Sequence, residues 1–201
     1  MLALWRWIPR HALLVSGGLV LAGALLSWQR NEVYSSRLSI WRDTAAHAPG
    51  NFRAHYNLGN ALVAAGRGDE AVPSYETALK LKPNAPSVAF NLASTLLQLG
   101  RSAQAIGYFE AALRQGPDAA DIRVNLAVAL AQSGRLEEAI GHWRRAIELE
   151  PRAVDARVSL GQALQLLGRT AEAVGEYQSA LQLDPANQQA RTGLREARQS
   201  R

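Results

Sequence analysis

The sequence predicts an all-α solenoid, with four stacked helical hairpins between an amino-terminal half hairpin and a carboxy-terminal capping helix, all preceded by one apolar span. Three observations predict it. The pairs Gly66-Arg67, Gly100-Arg101, Gly134-Arg135 and Gly168-Arg169 recur every 34 residues without slippage. Pro83, Pro117, Pro151 and Pro185 keep the same beat, as do Ala71, Ala105, Ala139 and Ala173, and then Ala78, Ala112, Ala146 and Ala180. A fixed period of that length marks stacked supersecondary units, none of which can bury its apolar face alone. The third observation is the uncharged run 12–29, rich in Leu, Val, Ala and Gly.

In chain order, 1–11 is a short basic segment carrying Arg6 and Arg10, and 12–29 is expected to be a transmembrane helix acting as an uncleaved signal anchor. As helix, Ala12 to Trp28 reaches about 26 Å, slightly under the ~30 Å hydrocarbon core, and Trp28 suits the interface. The rival reading is a cleaved signal peptide with Ala22-Gly23-Ala24 as the small-residue site. The apolar continuation Leu25-Leu26-Ser27-Trp28 favours the anchor, and both readings export the repeats. Arg6 and Arg10 on one side face Arg30, Arg37 and Arg42 on the other, so charge alone leaves the orientation open. The small pairs Gly18/Ala22 and Gly23/Ser27 offer a weak route to helix association, and the oligomeric state stays unassigned.

Segment 30–51 reads as half a repeat, because Trp41 and Pro49 fall 34 residues before Tyr75 and Pro83. A helix over Arg37 to His47 would place Trp41 against the first full hairpin and dock the array close to the membrane.

Each following unit contains two helices. In 52–85, Leu58, Gly59, Leu62 and Val63 share one helical face, and the run stops at Gly66, which takes the left-handed conformation of a helix cap. Arg67 beside it is expected to face the negative end of the helix dipole. The second helix turns Ala71, Val72, Tyr75, Ala78, Leu79 and Leu81 inward and ends before Pro83. Asp69-Glu70 and Glu137-Glu138, with Ser102 and Thr170 as candidate caps, fall where the positive end of that helix would lie. Tyr75, Phe109, Trp143 and Tyr177 would fill the space between hairpins. Pro73 sits within the second helix of the first copy and removes one backbone bond. The copies are 52–85, 86–119, 120–153 and 154–187, and 188–201 is a capping helix with Ala190, Leu194 and Ala197 on its buried side.

These residues resemble the tetratricopeptide repeat pattern W-x2-L-G-x2-Y, A-x3-F, P. The first copy reads His55-x2-Leu58-Gly59-x2-Leu62, Ala71-x3-Tyr75, Pro83, and the fourth Arg157-x2-Leu160-Gly161-x2-Leu164, Ala173-x3-Tyr177, Pro185. The first aromatic position is lost throughout, and Ala93 and Ala127 replace the glycine in copies two and three. The resemblance implies a right-handed α-solenoid that serves protein interaction. The junction Arg30-Asn31-Glu32-Val33-Tyr34, then Ile40-Trp41-Arg42-Asp43-Thr44 and Pro49-Gly50-Asn51-Phe52-Arg53-Ala54, is similar to that of polytopic membrane glycosyltransferases, whose last span leads into repeats on the lumenal or periplasmic side. That implies an extracytoplasmic array. The chain holds one apolar span and none of the acidic loops such enzymes use.

Composition narrows the function. There is no cysteine, which excludes disulfides and thiolate metal sites. The net charge is +5, yet residues 52–201 hold 17 basic and 15 acidic groups, interspersed rather than striped. That excludes the basic face nucleic-acid binding needs. His11, His47, His55 and His142 lack ligand spacing, and the acids fall at helix starts and solvated faces, so no metal, cofactor or enzymatic centre is expected.

What the period exposes is a line of amides. Asn57, Asn91 and Asn125, with Ser159 in the fourth copy, share one first-helix position. Stacking would align them on the concave face, where an amide can donate to and accept from a peptide backbone of any sequence. Their spacing resembles the asparagine ladder in the repeats of O-GlcNAc transferase. Bonding to a neighbouring loop is the plainer alternative. Tyr56, Phe90, Val124 and Val158 form an adjacent apolar row, and Asn60, Ser94 and Gln162 lie one turn on. Tyr56 and Phe90 suit either an apolar ligand side chain or internal packing. The family's carboxylate clamp would need cations at Tyr56, Asp121 and Asn125, so capture of an acidic carboxy terminus is not expected. The leading expectation is a membrane-anchored, non-catalytic scaffold for protein or extended-peptide partners. The second is an accessory or truncated tail of a membrane glycosyltransferase that presents an acceptor polypeptide.

Overall fold

A computed structural model describes residues 37–199. The membrane reading of 12–29 and the start of the junction lie outside those residues. Ten helices and no strand make up the described part: α1 (Arg37–His47), α2 (Phe52–Ala64), α3 (Gly68–Leu81), α4 (Pro86–Gln98), α5 (Ser102–Gln115), α6 (Ala120–Gln132), α7 (Leu136–Leu149), α8 (Val154–Leu166), α9 (Thr170–Leu183) and α10 (Gln188–Gln199). None of the described helices is long and apolar enough to cross a membrane.

Each helix packs on the ones before and after it in sequence, and the first helices also touch one another across repeats: α2 with α4, α4 with α6, α8 with α10. Hence α10 stands where the first helix of a fifth hairpin would stand. At the other end α1 stands in for a second helix. Its Leu38 packs on the core and its Ala45 is buried, while Trp41, expected to cover the hairpin, is only half-buried.

The core is one continuous stack. Tyr75, Phe109, Trp143 and Tyr177 are each 3% exposed or less, with the periodic alanines fully buried around them. Gly59 and Gly161 are small for a particular reason. A Cβ on Gly59 would lie 2.5 Å from Tyr75 Cε1, and one on Gly161 would lie 2.7 Å from Tyr177 Cε1. These glycines therefore admit a tyrosine ring rather than a second backbone. Where alanine replaces them, at Ala93 and Ala127, the facing aromatic is Phe109 or Trp143.

The Gly-Arg beat closes each first helix. At Gly66, φ is 72°, with Gly66 N–H donating to Val63 O at 2.9 Å and Arg67 N–H to Leu62 O at 2.9 Å. This double closure is the Schellman pattern, and it recurs at Gly100, Gly134 and Gly168.

Three expectations about side chains are corrected. The arginines do not turn back to the preceding helix end. Arg67, Arg101, Arg135 and Arg169 occupy the N-cap position of the following helix and reach forward to Glu70, Gln104, Glu138 and Glu172, three residues on. Ser102 and Thr170 are consequently first helical residues rather than caps, and the Ser102 hydroxyl donates to Gln132 Oε1 of the next repeat. Leu81, placed inward by its spacing, is the last residue of α3 and is 42% exposed. Pro73 is accommodated within α3, which continues to Leu81.

The lost aromatic position has substitutes. His55 donates from Nε2 to Pro49 O at 2.9 Å, and Arg157 donates to Pro151 O at 3.1 Å, so each ties a first helix to the turn before it.

Candidate functional site

The first helices lie side by side, which brings equivalent residues into three parallel columns, with Val158 at the end of the first column buried in the core. The first column holds Tyr56, Phe90, Val124 and Val158. The second holds Asn57, Asn91, Asn125 and Ser159, and the third Asn60, Ser94, Val128 and Gln162. All four residues of the asparagine column are half-buried. They are not equivalent.

Asn91 is committed inside the protein. Its Nδ2 donates to Asn60 Oδ1 at 2.9 Å and more weakly to Tyr56 OH at 3.3 Å, while Tyr75 OH donates to the same Asn60 oxygen at 2.8 Å. One amide oxygen thus takes two donors, using both its lone pairs. Burial pushes the Tyr75 hydroxyl up to about 12, with Tyr56 adding to the effect, so the donor stays protonated at neutral pH. By contrast, the side chains of Asn57, Asn125 and Ser159 make no hydrogen bond within the described chain and lie half-open to a ligand.

The aromatic row also does internal work. Tyr56 stacks on Phe52 with ring centroids 6.3 Å apart, and Phe90 meets Phe109 edge to face at 6.0 Å. Both are packing contacts of the usual geometry. Lys82 lies 5.2 Å over the Phe52 ring, and beside it a cavity of 440 Å³ opens against Asn57.

The bond that joins the third column to the central aromatic changes along the array. In the second copy Phe109 has no hydroxyl, and the buried Ser94 Oγ has no partner. In the third, Val128 cannot accept, and the Trp143 indole N–H is buried without a partner. In the fourth, Tyr177 donates at 3.1 Å to Gln165, leaving Gln162 exposed.

Two openings follow. A cavity of 240 Å³ lies between α6 and α8, walled by Val128, Ala131, Ala163 and Leu166 with Ser159 and Gln162 at its rim. A larger trough of 1110 Å³ runs from Gln162 and Leu166 to Gln188, Gln189, Thr192 and Glu196 on α10. Gln188, Gln189, Thr192 and Glu196 were not foreseen as site residues, nor was Gln165. The signal was available: one more period carries Val158 to Thr192, Ser159 to Gly193 and Gln162 to Glu196. Gly193 is as close to Tyr177 as Gly59 is to Tyr75, since a Cβ there would lie 2.4 Å from Cζ.

Apart from Glu196, no charged side chain of the described residues lines these two openings. Arg67, Arg135 and Arg169 hold Glu70, Glu138 and Glu172 below the usual carboxylate range by direct hydrogen bonds. Asp118 is likewise held low, bonded first by Arg123 and then by Arg145 at 3.1 Å. Burial, followed by Arg123, pushes His142 down. Among the described residues no three metal-ligating side chains gather.

A tetratricopeptide repeat profile matches residues 90–146 and 132–188, and a second TPR repeat profile matches 59–100. The chain belongs to the tetratricopeptide repeat family. Among solved TPR structures, YrrB, described as a TPR protein with an unusual peptide-binding site, superposes with a TM-score of 0.71 at 21% identity, covering 80% of this chain and 82% of that one. MamA (residues 41 to the end) from Desulfovibrio magneticus RS-1 gives 0.72 at 21% identity, covering 85% and 96%. The first TPR domain of RPAP3, bound to the HSP90 peptide SRMEEVD, gives 0.55 at 23% identity over 57% of this chain and 91% of that one. At these identities the likeness is one of TPR fold. In sequence, 86 residues are 41% identical to the Homo sapiens protein O-mannosyl-transferase TMTC1, covering 40% of this chain and 10% of that protein. The Mus musculus counterpart is 43% identical over 67 residues, 32% of this chain and 7% of that protein. This TPR chain therefore spans about a tenth or less of the length of those relatives.

Proposed function

We propose that the chain is a non-catalytic TPR scaffold, anchored in a membrane through 12–29, that displays its groove outside the cytoplasm to protein or extended-peptide partners. The observation that carries the binding part is the state of Asn57, Asn125 and Ser159. They are polar side chains at equivalent, half-buried positions with no partner of their own, where main-chain amides of a ligand can supply one. Glu70, Glu138 and Glu172, at the starts of second helices, are engaged by arginines instead of facing other acids.

The anchoring part rests on the uncharged run and its flanking arginines. Fractionation of cells making a tagged chain, with protease added to intact spheroplasts, tests it. Loss of the repeats to protease supports extracytoplasmic display, and protection refutes it.

For the groove, pull-down with the wild-type chain is compared with a triple variant Asn57→Ala, Asn125→Ala, Ser159→Ala. An unchanged partner set would remove these positions from the binding surface.

A second reading is favoured by one observation, the sequence likeness to a protein O-mannosyl-transferase. In it, the array presents an acceptor polypeptide to a membrane glycosyltransferase, as an accessory chain or as its tail. Co-purification of a multi-span enzyme, or a multi-span reading frame continuous with Met1, would favour it over an independent adaptor.

A further inference from the structure

The groove is divided. In its first half Asn60, Asn91, Tyr56 and Tyr75 are tied to one another by hydrogen bonds, which leaves Asn57 as the one unbonded member of the asparagine column there. In its second half the corresponding groups are open. Ser159 and Gln162 make no internal bond, and the apolar cavity between α6 and α8 shares Gln162 and Leu166 with the trough over α10. Leu166 at that junction is 75% exposed, by far the most exposed large apolar side chain of those described.

We propose that an extended peptide of neutral or basic character binds this second half, with one apolar side chain seated between Val128, Ala163 and Leu166 and its main chain running along the glutamines toward α10. The proposal rests on the groove reading above and assigns its register. Size and charge together select the occupant. The smaller cavity, at 240 Å³, holds several times the ~30 Å³ share of one liquid water, room for a single apolar side chain. The trough offers amides from Gln162, Gln188 and Gln189, which bond a peptide backbone of any sequence. Among the described residues that line the two cavities, Glu196 alone carries a formal charge at neutral pH. An acidic peptide would meet that carboxylate with no cation among the described residues that line the two cavities, whereas a basic one would be drawn to it.

The test uses the full chain and fluorescein-labelled peptides of about eight residues, ~27 Å when extended, each carrying one central leucine in an alanine-glutamine background. An acidic version replaces the flanking glutamines by glutamate and a basic version by lysine. Fluorescence anisotropy is expected to show binding of the neutral and basic peptides and about tenfold weaker binding of the acidic one. Leu166→Ser and Gln162→Ala, both at exposed sites and checked for intact folding by circular dichroism, should each weaken the neutral peptide about fivefold or more. Glu196→Gln should remove the preference for the basic peptide, and Lys80→Ala, at an exposed position of α3 that lines neither cavity, should leave all affinities unchanged. If Asn57→Ala weakened binding while Leu166→Ser and Gln162→Ala did not, the register would be overturned and the groove reading kept. If the acidic peptide bound as well as the others, or none bound, the proposal would be overturned, whatever the pull-down showed.

Discussion

A Cβ on Gly59 would lie 2.5 Å from Tyr75 Cε1, so the first helix of the first repeat is glycine there to receive a ring from the second. Gly59→Ala must displace that ring or separate the helices, and overpacking of this kind costs about 1–3 kcal/mol. Gly161→Ala, facing Tyr177 at 2.7 Å, should behave alike. Thermal unfolding followed by circular dichroism is expected to show a lowered midpoint for both, and no change for either would mean the ring moves freely.

The opposite sign is expected at Gly107, Gly141 and Gly175. These share one repeat position inside second helices, and an added Cβ would meet nothing within 4 Å. Alanine there restricts the unfolded chain without straining the folded one, a gain of about 1 kcal/mol per site. Denaturant titration of the single and triple alanine variants should show midpoints that rise nearly additively, because the sites lie in separate repeats.

Asn60 and Ser94 occupy the same column with opposite energetics. Ser94 Oγ is buried without a partner, and Asn60 accepts from two donors. Ser94→Ala should therefore be neutral or stabilising by up to ~1 kcal/mol, while Asn60→Ala, which leaves Tyr75 and Asn91 unsatisfied, should cost about 1–3 kcal/mol. Equal effects in urea unfolding would contradict the assigned bonds.

Tyr75 and Tyr177 give the array an alkaline limit. Burial raises both hydroxyls from 10.0 to about 12, so the folded protein holds their protons more tightly than the unfolded chain does. Their contribution is fully present below pH 10 and is lost as pH rises through 12. Phenolate absorbance and helical signal should change together over that window in the wild type. Tyr177→Phe should uncouple part of the loss, and an unchanged alkaline transition in that variant would refute the linkage.

The hairpins, their boundaries and the central aromatics were legible because a period of 34 residues repeats every packing constraint, so Ala71 or Pro83 is confirmed by three equivalents. The arginine of each Gly-Arg pair was misdirected for a local reason: adjacency in sequence suggested the helix just ended, whereas the left-handed glycine turns the chain and aims Arg67 at Glu70. The groove was half legible. Periodicity aligns Asn57, Asn91 and Asn125, but whether an amide is free depends on what faces it from the neighbouring helices. Asn91 meets the Asn60 oxygen that also accepts from the hydroxyl of Tyr75, a residue of another helix. The open end over α10 was missed because Gln188 to Gln199 reads as a polar cap, although it also continues the three columns.

That difference among equivalent amides yields a last prediction. Asn91 is structural by its bonds, whereas Asn57 and Asn125 have none within the described chain. Asn91→Ala should lower stability by about 1–2 kcal/mol, and in a double-mutant cycle with Asn60→Ala the two losses should be strongly non-additive, because each variant breaks the same bond. Asn57→Ala and Asn125→Ala should leave the unfolding midpoint within about 0.5 kcal/mol of wild type, as surface changes away from such features do. Chemical denaturation of the five variants separates the outcomes. If Asn125→Ala proved as costly as Asn91→Ala, its side chain would be held by the fold, and it would lose its claim to a ligand.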